Sequence, residues 1–219
     1  MSKKFRVGFI GCGGIAGRHF NDLAEEKRAK VVAMCDPDPN RIKTWKERRP
    51  ELLKAAEYAD YKTMLKKEEL DVVYINSPHN VHYEQIMNSM KAGCNVIAEK
   101  PMVCSIEHAR KVCAASKRLG KAVIVAYQRR YQSGYRKVRE IVDSGELGRL
   151  LAVTAYQLQG WLNGTKGTWR QCKEMSCGGQ LNDSGSHMID ILLFMINDVP
   201  KEVFCFLDNR GTEVDIDSA

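Results

Sequence analysis

The stretch FRVGFIGCGGIA, residues 5–16, decides the fold of this chain. Its first seven residues, ending at Gly11, form an apolar run interrupted only by Arg6 and Gly8, which reads as a buried strand. Gly11, Gly13 and Ala16 then complete a G-x-G-x-x-A pattern, and residues 15–27 carry helical periodicity. Strand, glycine turn and helix in that order open a dinucleotide-binding βαβ unit. Gly11 permits the tight turn, Gly13 puts no side chain in the way of a pyrophosphate, and Ala16 lets the helix lie close on the sheet. The pyrophosphate would meet free backbone N–H groups at the positive end of that helix.

Working outward, VVAMC (31–35) reads as a second strand, ending at Asp36, twenty residues after Ala16. A carboxylate there accepts hydrogen bonds from both hydroxyls of an adenosine ribose and repels a 2′-phosphate. NAD is therefore expected over NADP, with nearby Arg41 keeping NADP open. The structural alternative for Asp36 is a turn residue before Pro37. Further along, 71–75, 95–98 and 122–126 read as strands, and 40–49, 81–92 and a segment capped by Ser105 and stopped at Gly120 as helices. This alternation predicts a parallel sheet covered on both faces by helices, and the near-continuous apolar strands agree with burial on both sides.

The pattern changes near residue 130. Residues 135–144 look helical, 150–159 (LLAVTAYQLQ) and 203–207 read as strands, 163–179 as loop, and 187–197 as a buried helix, apolar almost all round. The expected boundary puts a Rossmann domain at 1–127 and a second domain at 128–219. Two strands make a poor sheet on their own, so the second domain is expected to be incomplete.

Bulk properties narrow the classes. The chain has 219 residues, 44% hydrophobic and 28% charged, as soluble globular proteins do. Residues 1–4 are too short a lead for a secretory signal, and no apolar run reaches the length of a membrane span; a cytoplasmic location without membrane partners is the expectation. The net charge of +7 arises in residues 1–120, where 22 basic face 15 acidic residues. Those bases are scattered among acids rather than gathered on one face, so no nucleic-acid partner is expected. The eight cysteines form no C-x-x-C pair. Cys172 and Cys177 lack accompanying ligands, and no metal site is expected.

Three further motifs carry a family resemblance. Glu99-Lys100-Pro101 follows the 95–98 strand. Ser77-Pro78-His79-Asn80-Val81-His82 follows the 71–75 strand. Gly178-Gly179 precede Asp183-Ser184-Gly185-Ser186-His187 and Ile189-Asp190. Together with Trp169-Arg170, these resemble the E-K-P, T-P-N-x-x-H and D-x-G-x-H segments of the glucose–fructose oxidoreductase and inositol dehydrogenase (Gfo/Idh/MocA) family. The chain departs from the pattern at His79, where the family has asparagine, and in a glycine run of two rather than three.

The resemblance implies an α/β protein: an N-terminal Rossmann doubly wound parallel sheet followed by an α+β domain with a mainly antiparallel open sheet, whose strands often serve homo-oligomer formation. It implies a nicotinamide-dependent dehydrogenase acting on a small-molecule sugar, cyclitol or related polyol. It places the catalytic residues at Lys100, Asp183 and His187. The pyrophosphate loop falls on Gly11, Cys12, Gly13, Gly14, Ile15 and Ala16, and the adenosine side on Asp36 and Arg41. Ser77, His82, Glu99, Lys100 and Gln128 fall on the ribose and nicotinamide side, with Trp169 and Arg170 approaching the nicotinamide.

The residue types suit the chemistry. Oxidising a secondary alcohol removes the hydroxyl proton while hydride leaves the carbon. A histidine, with an ordinary pKa of about 6.5, suits the proton, and a lysine ammonium stabilises the developing alkoxide. Asp183, four residues before His187, shares its helix face if the helix begins there, and either orients it or binds a substrate hydroxyl. Alternatives left open are an NAD-dependent glycosidase or dehydratase using transient oxidation, and a truncated, non-catalytic NAD-binding module.

Overall fold

The computed structural model describes residues 4–209 and 216–217. The chain divides into two units, Met1–Ala126 and Tyr127–Ala219.

The first unit contains, in order, β1 (Phe5–Ile10), α1 (Gly14–Glu25), β2 (Ala29–Cys35), α2 (Pro39–Arg48), β3 (Ala56–Tyr58), α3 (Tyr61–Lys67), β4 (Val72–Ile75), α4 (His82–Lys91), β5 (Asn95–Ala98), α5 (Ile106–Leu119) and β6 (Val123–Val125). The strands form one sheet in the order β3-β2-β1-β4-β5-β6, every neighbouring pair parallel. Strand order reverses between β1 and β4. In an open α/β sheet the crevice beyond the strand ends at such a point is where ligands bind.

Strand side chains alternate between two cores, as a period of two requires. Val7 and Phe9 of β1 join Val31 and Met34 of β2, under Ala16 and Phe20 of α1 and Ile42 of α2. Ile10, Ala33, Cys35, Val73 and Ile75 face the other way, under Met64 of α3, Ile86 and Met90 of α4, and Val112 and Ala115 of α5. Fully buried Phe9 stacks on Tyr74 at 4.8 Å and meets Phe20 at 4.4 Å. Burying such a side chain is worth about 1.5–3 kcal/mol.

Side-chain caps set the helix starts. Asp38 accepts from Asn40 N–H, Asp60 from Lys62 and Thr63 N–H, and Ser105 from His108 N–H. Each satisfies backbone donors that the first helical turn leaves unpaired. β3 and α3 were not anticipated: a three-residue edge strand is too short to show any alternation.

The second unit contains α6 (Ser133–Ser144), α7 (Trp161–Gly164), α8 (Lys173–Ser176) and α9 (Ser186–Ile196). Two short helices thus occupy the region expected to be loop. Three expectations need correction. Residues 150–159 and 203–207 are extended but form no ladder among the described residues. A strand exists only through a neighbour that takes its N–H and C=O groups, and without one the antiparallel sheet is absent among the described residues. The helix expected to be buried is mostly half-buried, with Ile191 alone of α9 buried. Its partner is α6, whose Arg139 donates to the Phe194 carbonyl oxygen at 2.6 Å.

Candidate functional site

In the first unit the motifs gather at the C-terminal ends of β1, β2, β4 and β5. Gly11, at φ +87°, makes the turn out of β1, and a Cβ there would come within 2.8 Å of the Asn76 backbone; no other residue type fits. Cys12 follows, its side chain buried and its thiol driven far above the ordinary range, first by burial and then by the Asp36 charge. It is a packing residue rather than a nucleophile.

Asp36 is itself buried. Its Oδ2 accepts from Cys12 N–H at 2.8 Å and its Oδ1 from Asp38 N–H at 2.9 Å. The expected ribose carboxylate therefore also ties the end of β2 to the glycine turn. Trp45 of α2 donates its indole N–H to the Cys12 carbonyl oxygen at 2.9 Å. Its ring fills the space beside Gly17 of α1, where any Cβ would collide with it. Glycine inside a helix costs about 1 kcal/mol against alanine, so this position gives up helix propensity to admit the indole.

Gly13 is the N-cap of α1. No side chain caps that helix and its first turn holds no acid. A Cβ placed on Gly14 would meet nothing within 4 Å, while one on Gly13 would lie 3.3 Å from Arg41 Nη1. Arg41 also pairs with Asp38 at 3.7 Å. An uncapped helix start beside a glycine cradle, with a carboxylate at the end of the neighbouring strand and a cation at the rim, fits a dinucleotide.

The β4 and β5 ends differ from expectation in one respect. Ser77 donates its hydroxyl to Gln85 Oε1 at 2.5 Å. His82, expected on the cofactor side, is 0% exposed, and its two ring nitrogens lie 2.9 Å from the carbonyl oxygens of Pro101 and Ser77. A side chain with no accessible surface and both ring nitrogens against backbone carbonyl oxygens braces two loops. Burial pushes its pKa down, against the two carbonyls and Glu99. Glu99 is buried and its Oε1 lies 2.9 Å from His19 Nε2 of α1. Lys100 is buried beside it.

In the second unit Gln128 opens a 3₁₀ turn, Gln128–Tyr131. Arg130 from that turn grips Asp190 of α9 through Nε and Nη2, with Nε to Oδ2 at 2.8 Å. Tyr127 meets the His187 ring edge-on at 5.8 Å. Burial raises the Tyr127 phenol, offset in part by a hydrogen bond with Ser186.

Asp183 lies in a π-helical turn, Leu181–Gly185, that runs directly into α9. Such turns are frequent at functional sites. Asp183 is therefore inside a continuous helical stretch with His187, not at its cap. It is buried; its Oδ2 accepts from Trp161 Nε1 at 2.9 Å and pairs with Arg170 Nε at 3.1 Å. Arg170 in turn lies over the Trp169 ring at 4.6 Å. The turn is capped by Asp217, which accepts from Gly179 and Leu181 N–H at 2.7 and 2.8 Å.

Sequence reasoning missed Trp45, His19, Tyr127, Trp161 and Asp217. The two tryptophans had a readable signal, since a buried indole N–H needs an acceptor, but nothing local names that acceptor. Among the described residues no group of three or more His, Cys, Asp or Glu is arranged to hold a metal ion. No described helix is long and apolar enough to cross a membrane.

Comparison with known proteins agrees with this architecture. A family model for the oxidoreductase family with an NAD-binding Rossmann fold matches residues 5–127. A model for the GFO/IDH/MocA C-terminal domain matches residues 135–219. D-glucoside 3-dehydrogenase of Escherichia coli K12 is 31% identical over 201 residues, covering 89% of this chain and 55% of the relative. Among solved structures, myo-inositol 2-dehydrogenase from Lactobacillus plantarum superposes with a TM-score of 0.80 at 28% identity, over 90% of this chain and 58% of that one. The WlbA dehydrogenase from Bordetella pertussis, in complex with NADH and UDP-GlcNAcA, gives a TM-score of 0.88 at 23% identity, over 99% of this chain and 64% of that one, and shares the fold. The chain thus spans between half and two-thirds of the length of these relatives. With both of its regions matched by the family's two domain models, the chain belongs to the Gfo/Idh/MocA oxidoreductases and carries their NAD-binding Rossmann domain.

Proposed function

We propose that this chain uses NAD to oxidise a secondary alcohol of a sugar, cyclitol or related polyol, or to run the reverse reduction. The observation that carries this reading is the buried carboxylate of Asp183, fixed by Trp161 and Arg170 one helical turn before His187. That is a polar centre built where a structural helix would place apolar residues. The named relatives, a glucoside and an inositol dehydrogenase, supply the substrate class.

In this reading the turn Gly11–Ala16 cradles the pyrophosphate against the start of α1. Asp36 takes the adenosine ribose hydroxyls, Arg41 lies at the rim, and Ser77, Glu99 and Gln128 line the ribose and nicotinamide side. When bound, NAD accepts the hydride. His187 takes the hydroxyl proton, and the Lys100 ammonium stabilises the oxygen as charge develops on it. Asp183 holds a substrate hydroxyl, while Trp169 and Arg170 wall the nicotinamide end. His82 acts from behind, bracing the loops that carry Ser77 and Lys100. A cytoplasmic, homo-oligomeric enzyme is part of the same proposal.

The test is a calorimetric titration of NAD and NADP into the folded chain, followed by a polyol screen that monitors NADH absorbance. NAD binds more tightly than NADP, and Asp36→Ala weakens NAD about tenfold or more, as loss of a charged hydrogen-bond acceptor requires. His187→Ala keeps NAD binding, and both it and Lys100→Ala lower turnover by at least about a hundredfold. A folded chain that binds neither dinucleotide overturns the proposal, as does full turnover by either alanine variant.

A further inference from the structure

We infer that Trp45 is a positioning residue for the pyrophosphate, acting through the peptide group between Cys12 and Gly13. The inference rests on the reading of the glycine turn given above. Cys12 is held on both of its backbone polar groups by side chains from other elements. Its N–H donates to Asp36 Oδ2 at 2.8 Å, and its carbonyl oxygen accepts from Trp45 Nε1 at 2.9 Å. Its own side chain is buried.

A trans peptide is planar, with C=O and N–H pointing in opposite directions. Holding the Cys12 carbonyl toward the indole therefore turns the Gly13 N–H away from it. Trp45 stands on the packed side, against Gly17 and edge-on to Phe20 at 5.6 Å, with the Arg48 guanidinium 5.6 Å from its ring. At the same helix start, a Cβ placed on Gly14 would meet nothing within 4 Å. The indole thereby fixes the direction of a backbone donor at the start of α1, where an anion is bound. A donor that needs no reorientation binds its ligand without the ordering cost. Gly17 is the second half of the device, because any larger residue would expel the indole from its place.

The experiment compares three ligands on the full chain by calorimetry: NAD, ADP-ribose, which has the pyrophosphate, and adenosine, which lacks it. Trp45→Phe keeps the aromatic packing and deletes the donor. NAD and ADP-ribose weaken by about three- to tenfold, because the Gly13 donor must then be ordered on binding, and adenosine is unchanged. Gly17→Ala gives the same pattern by displacing the ring, and the double variant is no weaker than the worse single one, because both act on one contact. Replacing the Trp45 indole by benzothiophene, which swaps only the N–H for sulfur, repeats the result in a chain of unchanged shape should either other variant unfold.

Wild-type affinity for ADP-ribose in the folded variants overturns the inference and leaves the cofactor site standing. Equal weakening of ADP-ribose and adenosine also overturns it, since that marks a general packing role. Failure of the wild-type chain to bind NAD overturns both readings.

Discussion

Glu99 shows how one residue can couple stability to the site. Burial alone would raise its carboxyl pKa. The hydrogen bond and charge of His19, and then the charge of Lys100, more than reverse this, so Glu99 is held below its ordinary value of 4.5. A carboxylate with a lowered pKa in the folded state gives stability that is complete above the unfolded value and fades as pH falls through the folded one. The expected outcome is a melting temperature for Glu99→Gln below wild type at pH 6, with a gap that narrows steadily as the pH drops below about 4.5. Protonation of His82 and of the other carboxylates is common to both proteins and cancels. Thermal scans between about pH 3 and pH 6 make the measurement. A gap that stays constant over that range would mean the His19–Glu99 pair contributes no charge-dependent stability.

At the scale of elements, the side chain of Ser105 has a clear mechanical role. It accepts from His108 N–H at 3.1 Å and starts α5, a helix that lays Val112 and Ala115 on the core. Ser105→Ala should cost about 1 kcal/mol, read as a lower urea midpoint with an unchanged slope; a midpoint equal to wild type would show that the cap contributes nothing. This cap was legible in the sequence, as were the glycine turn, Asp36 and most strands of the sheet. All are local signals, in which a residue type at a fixed offset answers to a backbone requirement. The contacts that hold the site were not legible because their partners are distant. Trp45 reaches Cys12 across 33 residues, Trp161 reaches Asp183 across 22, and His19 reaches Glu99 across 80. The inward-facing ring of His82 was not legible for a related reason: its place in a motif gives its position in the chain but not which way the ring faces. The strands expected at 150–159 and 203–207 failed because β-propensity reports a surface suited to pairing and cannot supply the neighbour.

The two units of the molecule stand on different footings. Of the buried apolar residues, 24 belong to the first unit; among the described residues the second has only Trp161, Ile191 and Ile216. The second unit instead exposes Leu151, Tyr156, Leu158, Val203, Phe204 and Phe206, each at least 84% accessible, on extended segments without ladder hydrogen bonds among the described residues. Apolar side chains on unpaired extended backbone make a template for association. The expected behaviour of this 219-residue chain is therefore concentration-dependent self-association with binding of a hydrophobic dye. Leu158→Lys combined with Phe204→Lys should reduce both, since charge on an exposed edge opposes pairing. NAD affinity should be unchanged, because neither Leu158 nor Phe204 is among the residues assigned to the cofactor, and the glycine turn, Asp36 and Trp45 belong to the other unit. Sedimentation velocity over a tenfold concentration range, with dye titration and NAD calorimetry on the same samples, separates the outcomes. Undiminished association in the double variant would place the contact elsewhere. A parallel fall in NAD affinity would show that cofactor binding depends on these two extended segments.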